Sequence, residues 1–123
     1  MATMHGRDNR TYQAGSPVSQ HRFVDLAADG QVDYSVDGAK AVGVSLNSAS
    51  AAGEALTVAQ SGQVLVEVGE ALAAGDEVSA HSDGSGMAAT ATSGDIILGY
   101  APKAAAIGTL AEVVIFLGGN AAA

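Results

Sequence analysis

The stretch GQVLVEVG at residues 62–69 decides the fold class of this 123-residue chain. Val64, Val66 and Val68 stand two residues apart, and side chains at that spacing share one face of an extended strand. A glycine bounds the stretch on each side. The pattern predicts a β-strand with one buried face.

Similar short segments recur on both sides of this strand. Apolar alternation or β-branched runs predict strands at residues 23–26, 32–36, 41–46, 56–60, 96–100 and 112–117. Asp-Gly dipeptides between them predict turns, because glycine accepts a positive φ. Residues 70–74 and 102–106 could each form a short helical turn or a loop. We therefore expect an all-β chain, mainly strand with at most one or two helical turns, folded as a small sandwich or barrel-like domain.

The chain also resembles itself at offsets of 54–60 residues. The matched pairs are residues 14–19 with 74–79, 29–30 with 83–84, 42–44 with 98–100, Gly53 with Gly108, and Gly62 with Gly118. These matches predict two similar β-units. We expect an extended N-terminal arm at 1–13, one β-rich domain at 14–118 with half-repeats of about 14–62 and 74–118, and a C-terminal tail at 119–123.

The apolar residues are mostly small. Alanine and glycine supply 42 residues, whereas leucine, isoleucine, valine and phenylalanine supply 27. Because an alanine methyl removes little surface from water, the core should be thin and burial against a partner should add stability. The apolar run at 113–117 should be buried on both faces, in a central core strand or at a subunit interface.

Charge is segregated along the chain, which carries a net charge of −8. Residues 1–22 carry +2, and residues 23–123 carry −10. A segment with this much negative charge repels the phosphate backbone of nucleic acids, so we expect no nucleic-acid partner. The run at 113–117 is too short to span a bilayer, residues 1–10 contain no apolar signal segment, and cysteine is absent, so we expect no membrane partner, no secretory signal and no disulfide.

Motifs that carry chemistry are missing. There is no G-x-S-x-G elbow, no phosphate-binding loop and no H-E-x-x-H pair. Asp25, Asp29, Asp33 and Asp37 recur every four residues without EF-hand spacing, which favours turns and surface acids over calcium. His81 and Asp83, near Asp76 and Glu77, are weak evidence for a metal site. We expect no enzyme, no catalytic residue, no cofactor and no bound metal.

Residues 62–69, followed by Ala74-Gly75-Asp76-Glu77-Val78, are similar to the half-repeat of lipoyl- and biotinyl-type carrier domains. That resemblance implies a modified lysine at a hairpin tip. The chain has Lys40 and Lys103, and neither lies next to methionine. A small β-rich binding or carrier module is therefore the alternative function.

A broader resemblance covers roughly residues 12–117. The order of Tyr12-Gln13-Ala14-Gly15, the segment FVDLAADG at 23–30, Ala41-Val42-Gly43-Val44, and Ala51-Ala52-Gly53-Glu54 before an alternating strand resembles the capsid decoration (cement) proteins of tailed bacteriophages. The family implies a protein made in the cytoplasm of the bacterial host that binds the outer capsid surface of the virion. Such proteins commonly form homotrimers and clamp adjacent subunits of the major capsid protein. The resemblance also implies a capsid-binding arm, which here would consist of Arg7, Asp8, Asn9, Arg10, Thr11 and Tyr12.

Overall fold

The computed structural model describes residues 9–27, 29–115, 117 and 121–122. Within these residues, ten β-strands form two five-stranded antiparallel sheets, and no helix occurs. The first sheet contains β1 (Asn9–Gln13), β2 (Phe23–Leu26), β3 (Val32–Tyr34), β4 (Gly43–Ser45) and β5 (Ala55–Ala59). The second contains β6 (Gly62–Glu67), β7 (Glu77–Ala80), β8 (Ala88–Thr90), β9 (Gly99–Tyr100) and β10 (Leu110–Ile115). The all-β, sandwich-like prediction is confirmed.

The two sheets have the same topology. Their strand orders are β1-β5-β4-β2-β3 and β6-β10-β9-β7-β8, so the second order is the first with five added to each strand number. In each sheet the residue after the first strand also forms a parallel bridge with the third strand, Ala14 with Val32 and Val68 with Ala88. We call β1–β5 the first unit and β6–β10 the second unit.

Equivalent residues of the two units lie 54–56 positions apart. A Cβ on Gly43 would collide with the carbonyl oxygen of Ala59, and a Cβ on Gly99 would collide with that of Val114, so glycine is needed at the same place in both units. The sequence match of residues 14–19 with 74–79 does not join equivalent residues. Gly118, the partner expected for Gly62, lies outside the described residues.

The buried apolar residues form two clusters. One lies inside the first unit and includes Val24, Leu56 and Val58. The other contains the interior valines of the second unit together with Phe23 and Val44 from the first. Phe23 has no exposed surface, and burying a phenylalanine side chain contributes about 2–3 kcal/mol. The second cluster therefore spans both units.

β10 lies between β6 and β9 and is an interior strand of its sheet. Val113 and Ile115 are buried in the core, whereas Val114, on the opposite face, is half-buried and Leu110 is exposed. The prediction that residues 113–117 are buried on both faces is therefore wrong for Val114, because no described residue covers that outer face completely. Phe116 lies outside the described residues.

The two segments that could have formed helical turns form no helix. Leu72 and Ala105 instead pair with each other, and each backbone N–H donates to the other residue's carbonyl at 2.9 Å. This bridge ties the connection between β6 and β7 to the connection between β9 and β10. A backbone pairing between distant segments satisfies polar groups that a single helical turn would leave open.

Candidate functional site

Three of the four recurring aspartates have polar partners in the described structure. Lys40 Nζ lies 3.1 Å from Asp25 Oδ1, the Gln31 backbone N–H donates to Asp29 Oδ1 at 3.0 Å, and the Ser16 hydroxyl donates to Asp33. Among the described residues, no group of three or more His, Asp or Glu side chains could hold a metal ion. These acids therefore act in turns and ion pairs.

The His81–Asp83 pair belongs to a tight turn. The Ser85 hydroxyl and the Ser85 backbone N–H both donate to Asp83 Oδ1, at 2.6 and 3.0 Å. His81 Nδ1 lies 3.1 Å from the same oxygen. The hydrogen bonds from Ser85, with a smaller contribution from His81, lower the pKa of Asp83 to about 2. This carboxylate stabilises its turn.

The two lysines singled out for a carrier module differ in their settings. Lys40 lies on the connection between β3 and β4, and these strands are not neighbours in the sheet, so Lys40 is not at a hairpin tip. Its ammonium is paired with Asp25. Lys103 is exposed on the connection between β9 and β10.

The residues expected to bind the capsid fall partly in a strand. Asn9, Arg10, Thr11 and Tyr12 lie in β1, which pairs antiparallel with β5 from Asn9 opposite Ala59 to Gln13 opposite Ala55. Arg7 and Asp8 lie outside the described residues. The segment expected to be an arm at 1–13 therefore has its last five residues in the first sheet, because the β5 edge offers them backbone hydrogen bonds.

β1 is an end strand of the first sheet, with β5 as its neighbour in the described structure. Asn9, Arg10 and Thr11 are exposed, while Tyr12 is half-buried and its hydroxyl accepts a hydrogen bond from Gln60 Nε2 at 3.1 Å. An edge strand presents backbone groups on its outer side that can pair with another chain. Within the described residues, β1 thus pairs with β5 along one edge, while on the other edge the contact is the bridge from Ala14, the next residue, to β3.

The two units meet at a polar junction around Arg22. The Arg22 guanidinium lies 3.1 Å from Glu67 Oε1 and donates to the Ser85 carbonyl at 2.9 Å. Beside it, the Phe23 backbone N–H donates to the Gly86 carbonyl at 2.7 Å. In the sequence, Arg22 belongs to the basic N-terminal segment. In the structure, its side chain joins the first unit to the second.

The outer face of the second sheet carries exposed leucines that the sequence reasoning missed. Leu65 on β6 and Leu110 on β10 are 41% and 47% exposed. They border a groove of about 360 Å³ that Ala104 and Ala106 also line. The sequence signal was present, because Leu65 alternates with the buried Val64 and Val66.

These features define a class: a two-unit, all-β protein with an end strand in its first sheet and exposed leucines on the outer face of its second sheet. The sequence profile of the family described as phage cement protein matches residues 4–115, which include all ten strands. The chain belongs to the phage cement protein family. It is therefore a structural protein of bacteriophages that associates with the capsid.

A solved structure shares the fold. The crystal structure of the head fiber gp8.5 N base in bacteriophage phi29 is similar to this chain with a TM-score of 0.74 at 19% identity, over 94% of this chain and 99% of that one. At this identity the likeness shows the fold alone. A search of curated proteins found no match. No helix among the described residues is long and apolar enough to cross a membrane.

Proposed function

We propose that this protein binds the outer surface of a tailed-phage capsid and stabilises the shell by clamping adjacent subunits of the major capsid protein. The observation that carries this proposal is the family match over residues 4–115. The match extends across both units, so the function belongs to the two-unit body as a whole.

The junction between the units supports a clamping role. A clamp must hold two attachment points at a fixed separation, and therefore it must not flex between them. Arg22, Phe23 and Glu67 tie the units through side-chain and backbone hydrogen bonds, and the larger apolar cluster spans both units. A ligand that binds the assembled shell and not its separated subunits stabilises the shell by mass action.

The attachment proposed for the first unit is the segment Arg7, Asp8, Asn9, Arg10, Thr11 and Tyr12. The outer edge of β1 could accept a capsid strand through backbone hydrogen bonds, and the arginines could bind capsid carboxylates in bidentate geometry. Three copies arranged as a homotrimer would multiply weak contacts through avidity. The partners are thus the major capsid protein and further copies of this chain.

The test is binding of the full chain to purified, undecorated shells of the phage that encodes it. We expect saturable co-sedimentation with the shells and a higher temperature of shell rupture. Absence of binding would contradict the assignment. Binding without a change in the rupture temperature would support association with the capsid and would contradict the clamping role.

A further inference from the structure

The outer face of β6 and β10 alternates leucine with glutamate. In the antiparallel register, Leu65 lies opposite Glu112 and Leu110 lies opposite Glu67. The two leucines are therefore diagonal neighbours on one face, and each has a carboxylate across from it. The two leucines still leave 41% and 47% of their surface in water, and a partner that covered this remainder would gain apolar burial.

The first unit provides an internal comparison. There Thr11 pairs with Thr57 and Gln13 pairs with Ala55, and these pairs are equivalent to Leu65–Glu112 and Glu67–Leu110. The same fold thus forms with threonine and alanine where the second unit has leucine. It also forms with neutral side chains where the second unit has glutamate. Neither the leucines nor the glutamates are required by the strand pairing.

The leucines border a concave surface. The groove of about 360 Å³ lies between this face and residues 103–106, and its lining includes Ala104, Ala106 and Lys103. Alanines and leucines together supply most of the lining, so the groove can accept apolar side chains. Concave apolar sites of this size bury more of a bound side chain than a flat sheet face does.

The charge around the groove narrows the choice of occupant. Glu67 is paired with Arg22, but Glu112 accepts a hydrogen bond from Gln63 and forms no ion pair within the described residues. Residues 23–123 carry a net charge of −10, so the body of a second copy would repel this face. Lys103 also lines the groove, so a basic group of a partner is electrostatically complementary to the Glu112 carboxylate in particular.

We propose that the face formed by Leu65, Leu110 and Glu112 docks a segment of the capsid shell protein that presents apolar side chains beside a lysine or arginine. This inference rests on the proposed function and adds a second attachment, on the unit that does not carry β1. Two attachments on two rigidly joined units would let one chain contact two neighbouring capsid subunits.

The most direct test of this docking face replaces its two leucines with the residues found at the equivalent positions of the first unit. The double variant Leu65→Thr/Leu110→Ala should stay folded, since the equivalent positions of the first unit hold those residues. Its unfolding midpoint should fall slightly, because the wild-type leucines are partly buried. Its dissociation constant for undecorated shells should rise at least about tenfold. The control Leu26→Thr changes a leucine that is 43% exposed on the first unit, and it should bind like wild type.

A second variant tests the charge independently of leucine packing. Glu112→Lys reverses an exposed charge, and it should slow association with the shells and weaken the inhibition of binding by salt. Wild-type affinity in both Glu112→Lys and the double leucine variant would overturn the inference while the binding of the wild-type chain still supported the proposed function. Failure of the wild-type chain to bind shells would overturn both.

Self-association is the remaining outcome. Sedimentation of the free chain at several concentrations would reveal whether copies meet through this face. A wild-type oligomer that becomes monomeric in the double leucine variant would assign the face to a second copy and overturn the capsid assignment. We expect the same sedimentation behaviour for both chains.

Discussion

Arg22 of the first unit and Glu67 of the second lie 3.1 Å apart, with side chains that are 15% and 35% exposed. Arg22 also lies 5.6 Å from the centre of the Tyr34 ring and donates to the Ser85 carbonyl. One arginine therefore connects two β-units that share a topology. The relative placement of the units depends on this residue as well as on the apolar cluster beneath it.

Arg22→Ala should lower the free energy of unfolding by about 2 kcal/mol, because it removes charge-assisted hydrogen bonds at a largely buried site and leaves Glu67 without its partner. The control Lys40→Ala breaks an ion pair whose lysine is 68% exposed, and it should cost less than about 1 kcal/mol. Urea unfolding midpoints measure both. Equal effects would contradict the special role of the junction.

Gly86→Ala should destabilise the protein more than Gly84→Ala. Both glycines have positive φ, 74° and 76°, so alanine is strained at either position. At Gly86 the added Cβ would also collide with the Phe23 carbonyl oxygen, whereas nothing lies within 4 Å at Gly84. We expect a loss of about 1 kcal/mol for Gly84→Ala and at least twice that for Gly86→Ala. Similar thermal melts would contradict the close approach of the units.

Two truncations separate the two parts of the N-terminal segment. Deleting residues 1–8 leaves β1 and its pairing with β5 intact, so the unfolding midpoint should stay at the wild-type value while shell binding weakens through the loss of Arg7. Deleting residues 1–13 should also lower the unfolding midpoint, because β5 loses its pairing with β1 and keeps only β4 as a neighbour. Wild-type shell affinity in the shorter truncation would remove residues 1–8 from the proposed attachment.

Asp83 makes stability depend on acid pH. Its folded pKa of about 2 lies below the ordinary value of 3.8, so its contribution is complete above pH 4 and is lost as pH falls toward 2. The carboxylate is partly exposed, and solvent screening limits the contribution to under about 1 kcal/mol. The melting temperature of wild type should exceed that of Asp83→Asn at pH 5, and the difference should vanish near pH 2. A constant difference would contradict the linkage.

The strands that sequence predicts best have large β-branched side chains on one face. Val64 and Val66 of β6 are buried as their alternation indicates, and glycine marks the turns on either side of several strands. β7 and β8 escaped prediction because they are short and rich in serine, alanine and threonine, residues that pack only where a neighbouring strand already lies close. The sequence of β1 predicts an arm, because its side chains are polar and show no apolar alternation, although its backbone pairs with β5.

The candidate site was harder to predict than the fold. Leu65 and Leu110 are separated by 45 positions in sequence, and their proximity depends on the register of β6 against β10. The internal repeat contained the necessary information, since Thr11 and Ala55 occupy the equivalent positions. That comparison required the strand pairs, because small insertions shift the offset between the units from 54 to 56 residues.

The most direct test of the central claim is the copy number of this chain relative to the major capsid protein in purified virions, measured by quantitative mass spectrometry with labelled standards. Decoration of the capsid predicts a fixed ratio that approaches one copy per equivalent shell position and that survives washing of the particles. A trace signal, or one that varies between preparations, would contradict the assignment of this chain as a protein that covers and clamps the shell.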